Sequence, residues 1–344
     1  MPSVLNSLIS VFALAALSAC AGPKAPADYL RGQRLDRQKS YRQAAAAYAK
    51  AADAICPAAH RYCDQARLRH AEALESLGAW NEAESAYRAL KETALDRKNG
   101  GRASFRIAAI AERQKKPTKL VLARYQQTIL DFGDEVAAED ALRALIRLYR
   151  QNLDEPRLIK RLIALSARSE RRGIADNLLY RAAEIYRRRG EDDEALKLYD
   201  RLIAGYRRSG LRDDCIWAAG QLLEKRGDFS GALRRYRKLL VERKDAYMVG
   251  SYNSVYLDDA QLRVALIELQ KLKSQARAIE AFETLRDDFP HSILRDDAHF
   301  WLATIHLAAG KRKRACKELK TLLERYPDGN HARRARMKLG AIGC

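Results

Sequence analysis

Proline and glycine are both scarce, 8 and 18 in 344 residues, which excludes a Pro/Gly-rich linker chain and an all-β chain of tight turns. Cysteine numbers six, too few for a small scaffold stapled by disulfides in place of a core. Beyond the first twenty residues no stretch approaches the roughly 20 apolar residues a membrane-spanning helix needs. Motifs that carry chemistry are missing too. The histidines (60, 70, 291, 299, 306 and 331) form no His-Glu-x-x-His pattern. Gly310-Lys311-Arg312 lacks the second glycine and the preceding strand of a phosphate loop, and no Gly-x-Ser-x-Gly elbow occurs. Asp296-Asp297 beside His299 reads as a helix start, with acids near N-terminal amides, and His306 reads as a packing residue. No enzyme activity, cofactor or metal is therefore expected.

What is abundant is Ala, Leu, Arg and Glu, all good helix formers. With 47% hydrophobic residues the chain is not disordered by composition. Lys and Arg outnumber Asp and Glu by 64 to 44, a formal charge of +20.

Residues 8–19 form an uncharged apolar run, too short to span a bilayer, that ends in Leu17-Ser18-Ala19-Cys20-Ala21-Gly22. This resembles a bacterial lipobox: an aliphatic residue, two small ones, then the cysteine that carries lipid. The n-region departs from the pattern in having no Lys or Arg; an ordinary cleaved signal peptide is the alternative. The resemblance implies a signal peptide over 1–19, lipidation at Cys20 and a tether over 20–26. Ala21 in place of an inner-membrane Asp favours the outer membrane, facing the periplasm. Export also separates the basic chain from nucleic acid, leaving an acidic protein or anionic lipid as the partner for its charge.

One unit recurs along the chain. Gly190, Ala195 and Tyr199 stand in the spacing Gly, then Ala five on, then an aromatic four further, and Gly78/Ala83/Tyr87 and Gly227/Ala232/Tyr236 repeat it. The anchors fall at 44, 83, 121, 158, 195, 232, 278 and 315, spaced 37–39 residues apart except for one interval of 46. Twelve residues before an anchor sits a small residue in six units: Gly32, Ala71, Ala109, Ala183, Gly220 and Ala303. The pattern resembles the tetratricopeptide repeat (TPR), a pair of antiparallel helices per unit. The resemblance implies an all-α, right-handed superhelical solenoid of about eight helix pairs over 27–330, with a C-terminal cap helix in 331–344. Phe289-Pro290-His291-Ser292 and Tyr326-Pro327-Asp328-Gly329 in the last units are similar to a group of periplasmic TPR proteins. That group includes the TPR lipoprotein of the β-barrel assembly machinery (BamD) and a division-associated protein linked to the Tol–Pal system (CpoB). The lipobox fits only the former, and eight repeats fit neither.

TPR superhelices usually bind through the face lined by positions 2, 5, 9 and 12 of each first helix. With the anchor at position 20, this face presents Arg106, Arg113, Arg143, Arg147 and Arg150 in units three and four, and Tyr180, Trp217 and Phe300 in units five, six and eight. A basic half beside an aromatic half suits a peptide with acidic residues and an apolar anchor; solvated arginines and partly buried aromatics are the bland reading. The nine extra residues of the long interval fall within 242–259, with Tyr247, Met248, Tyr252 and Tyr256, as an insertion or a longer helix pair.

Cys56 and Cys63 flank a turn with Pro57 and His60; the expectation is a disulfide, with free thiols or a partial metal site as alternatives. Cys316 and Cys344 can pair if the cap folds back, and Cys215 reads as a buried small hydrophobe. The functional expectation is a non-enzymatic scaffold docking envelope proteins, in assembly of an outer-membrane, division or secretin/pilus machine. A carrier of a cell-envelope glycan is the alternative. The lysines and arginines near residues 311–320 are a solvated face or a contact for anionic lipid.

Overall fold

The computed structural model describes residues 25–151, 154–170, 173–247 and 255–344. Among them the chain forms 17 α-helices and no strand. It divides into two compact units, residues 1–175 and 176–344. The first holds four helix pairs: α1 (Ala27–Arg37) with α2 (Tyr41–Ile55), α3 (Cys63–Ser76) with α4 (Trp80–Thr93), α5 (Arg97–Arg113) with α6 (Thr118–Asp131), and α7 (Val136–Gln151) with α8 (Glu155–Arg168). The second holds α9 (Ala175–Arg189) with α10 (Asp192–Gly205), α11 (Arg212–Lys225) with α12 (Phe229–Tyr247), α13 (Leu257–Leu266) with α14 (Gln275–Asp288), α15 (Arg295–Ala308) with α16 (Arg312–Arg325), and the closing helix α17 (Ala332–Ile342). Each unit is thus an α-solenoid of stacked pairs.

All eight anchors are buried, from Ala44 to Ala315, and so are the rings four residues on: Tyr48, Tyr87, Tyr125, Tyr199, Tyr236 and Phe282. The Tyr48, Tyr125, Tyr199 and Tyr236 rings each meet a ring of their own pair's first helix. A Cβ at Gly32 would come within 2.6 Å of the Tyr48 ring, and one at Gly220 within 2.6 Å of Tyr236, so the small residue is what lets the two helices approach. The turn out of the first helix needs a left-handed residue. Gly78, Gly190, Gly227 and Gly310 adopt φ of 81°, 76°, 81° and 69° there. Phe289 and Tyr326 end α14 and α16 immediately before Pro290 and Pro327.

Pairs are strapped to their neighbours by acids near the start of first helices. Asp64 accepts from the backbone N–H groups of Leu95 and Asp96 at 3.1 and 2.8 Å, and Asp296 accepts from His331 N at 3.3 Å. Asp296 and Asp297 therefore do more than sit at a helix start, since Asp297 also holds His331 Nε2 at 2.8 Å. The long interval contains a longer second helix: α12 has 19 residues where α10, α14 and α16 have 14. Met248 and Tyr252 lie outside the described residues, as does Cys20. Among the described residues no helix is long and apolar enough to cross a membrane.

Cys56 and Cys63 are joined with Cα atoms 4.9 Å apart, and Cys316 and Cys344 with Cα atoms 5.9 Å apart, both within the span of a disulfide. His60 Nδ1 accepts from Tyr62 N at 3.2 Å, so the turn's histidine is engaged locally. Cys215 is buried and free, and burial pushes its thiol well above the ordinary range.

Candidate partner-binding groove

The first helices are joined by a row of three-residue clusters. In each, a tyrosine of a second helix reaches back to a glutamate of its own first helix. Tyr87 Oη donates to Glu75 at 3.0 Å, Tyr125 Oη to Glu112 at 2.8 Å, and Tyr236 Oη to Glu224 at 3.1 Å. An arginine from the next pair's first helix closes the cluster: Arg106 Nε to Glu75 at 3.0 Å, Arg147 to both oxygens of Glu112 at 2.6 and 2.9 Å, and Arg263 Nε to Glu224 at 3.0 Å. Tyr199 and Glu184 repeat the pattern, with Arg187 of the same helix as the cation. Arg147 holds the Glu112 carboxyl below its ordinary range despite burial. Charge-assisted forks of this kind order two side chains at once.

This changes the standing of the arginines expected to line a groove. Arg106 and Arg147 are committed to the seam between pairs by Glu75 and Glu112, acids on the preceding first helix. Arg143 is exposed but turns to Asp140 and Glu139 of its own helix. Arg113 lies over the Trp80 ring at 5.3 Å. Arg150 is exposed and has no ion pair among the described residues. A free basic half is therefore not what the first unit presents.

The aromatic half differs as well. Phe300 is 1% exposed and belongs to the core, not to a binding face. The cap helix covers it: the His331 ring stacks on it at 4.2 Å, with Arg334 over the ring at 4.5 Å. Tyr180 is half-buried against Tyr199, and burial pushes its hydroxyl up to about 12. Trp217 is half-buried between Tyr236 (5.2 Å) and Tyr256, which stacks on it at 5.3 Å with 9° between the planes. Tyr256 Oη in turn donates to Asp214 at 2.9 Å.

Trp217 nevertheless lines an open cleft of about 620 Å³ in the second unit. Gln221, Phe229, Asp259, Arg263 and Lys271 share that lining, with Lys271 Nζ 5.3 Å from the Phe229 ring. Burial and the neighbouring Asp258 raise the Asp259 carboxyl above its ordinary range. Arg263 was legible in the register, because it holds position 5 of the seventh unit, the slot of Trp217 in the sixth. Phe229 and Lys271 carry no such signal: they come from the first residue of α12 and from the π-helical turn Ile267–Lys271 that ends α13. The cleft can hold an aromatic or aliphatic group against Trp217 and Phe229 and orient it by the flanking charges. Among the described residues no group of three or more His, Cys, Asp or Glu is placed to hold a metal ion. His306 is buried, and burial lowers its imidazole from the ordinary range.

Residues 259–292 and 297–329 match one model of the tetratricopeptide repeat, and residues 178–213 match another. The comparison with curated proteins returned no relative of this chain. Similar solved structures include the C-terminal part of a TPR repeat-containing protein from Cytophaga hutchinsonii, at 13% identity and a TM-score of 0.38, covering 89% of this chain and 98% of that one. YrrB, described as a TPR protein with an unusual peptide-binding site, is 13% identical with a TM-score of 0.40 over 62% of this chain and 97% of its own. BtubC from P. vanneervenii is 16% identical with a TM-score of 0.41, covering 72% and 93%. Three stretches of the second unit thus carry tetratricopeptide repeats, which generally mediate protein–protein contact.

Proposed function

We propose that this chain is a lipid-anchored periplasmic scaffold of the outer membrane that docks envelope proteins and performs no catalysis. The observation that carries docking is the open cleft in which Trp217 and Phe229 are flanked by Arg263 and Lys271 on stacked helix pairs. An aromatic anchor in a charged rim is the usual composition of a binding hot spot. The anchor rests on Leu17-Ser18-Ala19-Cys20 after the apolar run. Two disulfides, Cys56–Cys63 and Cys316–Cys344, are in keeping with an oxidising compartment. The machine served is of the outer-membrane assembly, division or secretin/pilus kind.

Crosslinked envelopes from wild type, Trp217→Ala and Lys271→Glu test the docking. Trp217 packs on two tyrosines, so its truncation also costs stability; Lys271 is exposed and its reversal leaves the fold intact. A protein recovered with wild type and reduced about 30-fold or more in Trp217→Ala supports the cleft, provided Lys271→Glu also shifts capture. Capture unchanged in both rejects it. Recovery of wall-polymer fragments in place of protein moves the assignment to a glycan carrier. Palmitate labelling of wild type against Cys20→Ser tests the anchor, and equal labelling of the two discards it.

A further inference from the structure

We propose that the outer face of the last two helices, α16 and α17, docks on anionic phospholipid headgroups, a reading that rests on the chain being held at a membrane by Cys20. Residues 311–344 carry eleven Lys and Arg against three acids, a surplus of eight out of the whole chain's twenty. One of the three acids is turned inward: Glu318 holds Arg286 at 3.0 Å and His299 at 2.6 Å. Among the described residues none of the eleven cations has a carboxylate partner. Those that are engaged meet neutral groups. Arg312 donates to Gly343 O at 3.1 Å and Arg336 to Pro327 O at 2.8 Å, while Arg334 and Lys338 lie over the Phe300 ring.

The remaining charges are arranged as a face. Lys313, Lys317 and Lys320 stand at i, i+4 and i+7, one exposed stripe of α16. On α17, which contains no acid, Arg333, Arg336 and Met337 are exposed, Met337 at 68%. The Cys316–Cys344 bridge ties the end of the chain back to α16, so both helices are held together. Dispersed exposed cations on two adjoining helices, with one exposed apolar side chain on the second, suit a fluid layer of phosphate headgroups, into which the thioether can insert. An acidic peptide needs a recess instead. The recess in this repeat, about 560 Å³ between the Pro290 and Pro327 turns, is lined by Asp296, Asp328 and Arg295 and by none of these lysines.

The test uses the full unlipidated chain, Cys20→Ser, with vesicles of phosphatidylcholine alone or mixed equally with phosphatidylglycerol. The parent protein partitions onto the mixed vesicles and far less onto the neutral ones, and salt abolishes the difference. Lys313→Gln/Lys317→Gln/Lys320→Gln lowers that partition on the order of 100-fold, because each charge near an anionic surface contributes about fivefold. Lys98→Gln/Lys119→Gln/Lys160→Gln removes the same charge from exposed sites elsewhere and leaves partition nearly unchanged. Equal partition onto both vesicle types, or equal loss in both triple variants, overturns the proposal. So does a stripe variant that loses binding to soluble polyglutamate while keeping its vesicle partition, which hands the face to an acidic protein. Every arm lacks Cys20, so a failed palmitate-labelling experiment removes the anchor without altering this result.

Discussion

The two units build the same helix pairs but close the seams between them with different chemistry. In the first unit the seams are ionic: Arg106 reaches Glu75, Arg147 reaches Glu112, and Glu84 gathers Arg88, Lys116 and Arg124. Towards the end of the second unit rings join the ion pairs: Trp217 stacks on Tyr256 beside Arg263–Glu224, Phe282 on Trp301 beside Arg286–Glu318, and Phe300 meets His331 at the cap. Position 5 of the first helix runs Tyr29, Leu68, Arg106 and Arg143 in one unit and Tyr180, Trp217, Arg263 and Phe300 in the other, so rings outnumber arginines only in the second. Where carboxylates face the cations, the positive charge is spent inside the structure. At the seam with the cap helix, made by Phe300 and His331, the cations of α17 have no carboxylate partner among the described residues. A formal charge of +20 thus says little about partners until the acids are placed beside it.

The largest expected effect breaks this comparison at its aromatic end. Phe300→Ala opens a cavity under the cap helix and costs about 3–5 kcal/mol. Arg106→Ala removes a half-exposed cation and costs about 1–3 kcal/mol, chiefly by leaving the buried Glu75 carboxylate with the Tyr87 hydroxyl as its donor and no cation. Stacked repeats open segment by segment, so the readout is amide exchange in α15–α17 for the first variant and α3–α6 for the second. Equal protection losses in the two would show that seam chemistry does not set seam strength.

Acid separates the two units by range, not by sign. Burial raises the Glu84 carboxyl, but Arg124, Arg88 and Lys116 outweigh it and hold it at about 2, against an ordinary value of 4.5. A folded carboxyl below its unfolded value stabilises fully above pH 4.5, and that stability is lost as pH falls towards 2. The contribution is about 1–2 kcal/mol after solvent screening. In the second unit burial lowers the His306 imidazole from 6.5. That group stabilises above pH 6.5 and its contribution is lost as pH falls below it. Melting temperatures of Glu84→Gln and His306→Gln across pH check this: the gap to wild type should narrow below pH 4.5 for the first and already below pH 6.5 for the second. A gap that stays constant with pH removes either group from the account.

Much of the solenoid was legible because its rules are local. Buried alanines, rings four residues on and turn glycines recur at fixed spacing, and each reports on contacts within one pair. The candidate site was less legible because position 5 faces a neighbour as well as solvent. Periodicity places Phe300 and Trp217 in one slot, yet the first lies under a cap helix and the second borders a cleft. Nor does periodicity say that Glu75 and Glu112 will meet arginines 31 and 35 residues later. Such pairings depend on how one pair stacks on the next. Phe229 and Lys271 entered the cleft from the very start of α12 and from a π-helical segment, where the 3.6-residue period gives little guidance.

The smallest expected effect sharpens the comparison at the turns. The second unit uses Gly190, Gly227 and Gly310, and lysine once, Lys273 at φ 55°, to leave its first helices, whereas the first unit uses Gly78 once and lysine twice, Lys39 at φ 59° and Lys115 at φ 55°. The closing hydrogen bond is the same in both. Ser40 N donates to Leu35 O at 2.9 Å and Lys116 N to Ala111 O at 3.0 Å, just as Ala79 N donates to Leu74 O at 3.0 Å. Lysine therefore bears the left-handed backbone cost, about 1–2 kcal/mol, without gaining a bond. Glycine would remove that cost and add about 0.5–1 kcal/mol of chain entropy to the unfolded state. Lys39→Gly and Lys115→Gly should each stabilise the first unit by about 0.5 kcal/mol, and Gly78→Ala should destabilise it by about 1 kcal/mol. Denaturant midpoints of the three variants provide the check. A midpoint that falls for Lys39→Gly would mean that its side chain stabilises the turn by more than its backbone costs.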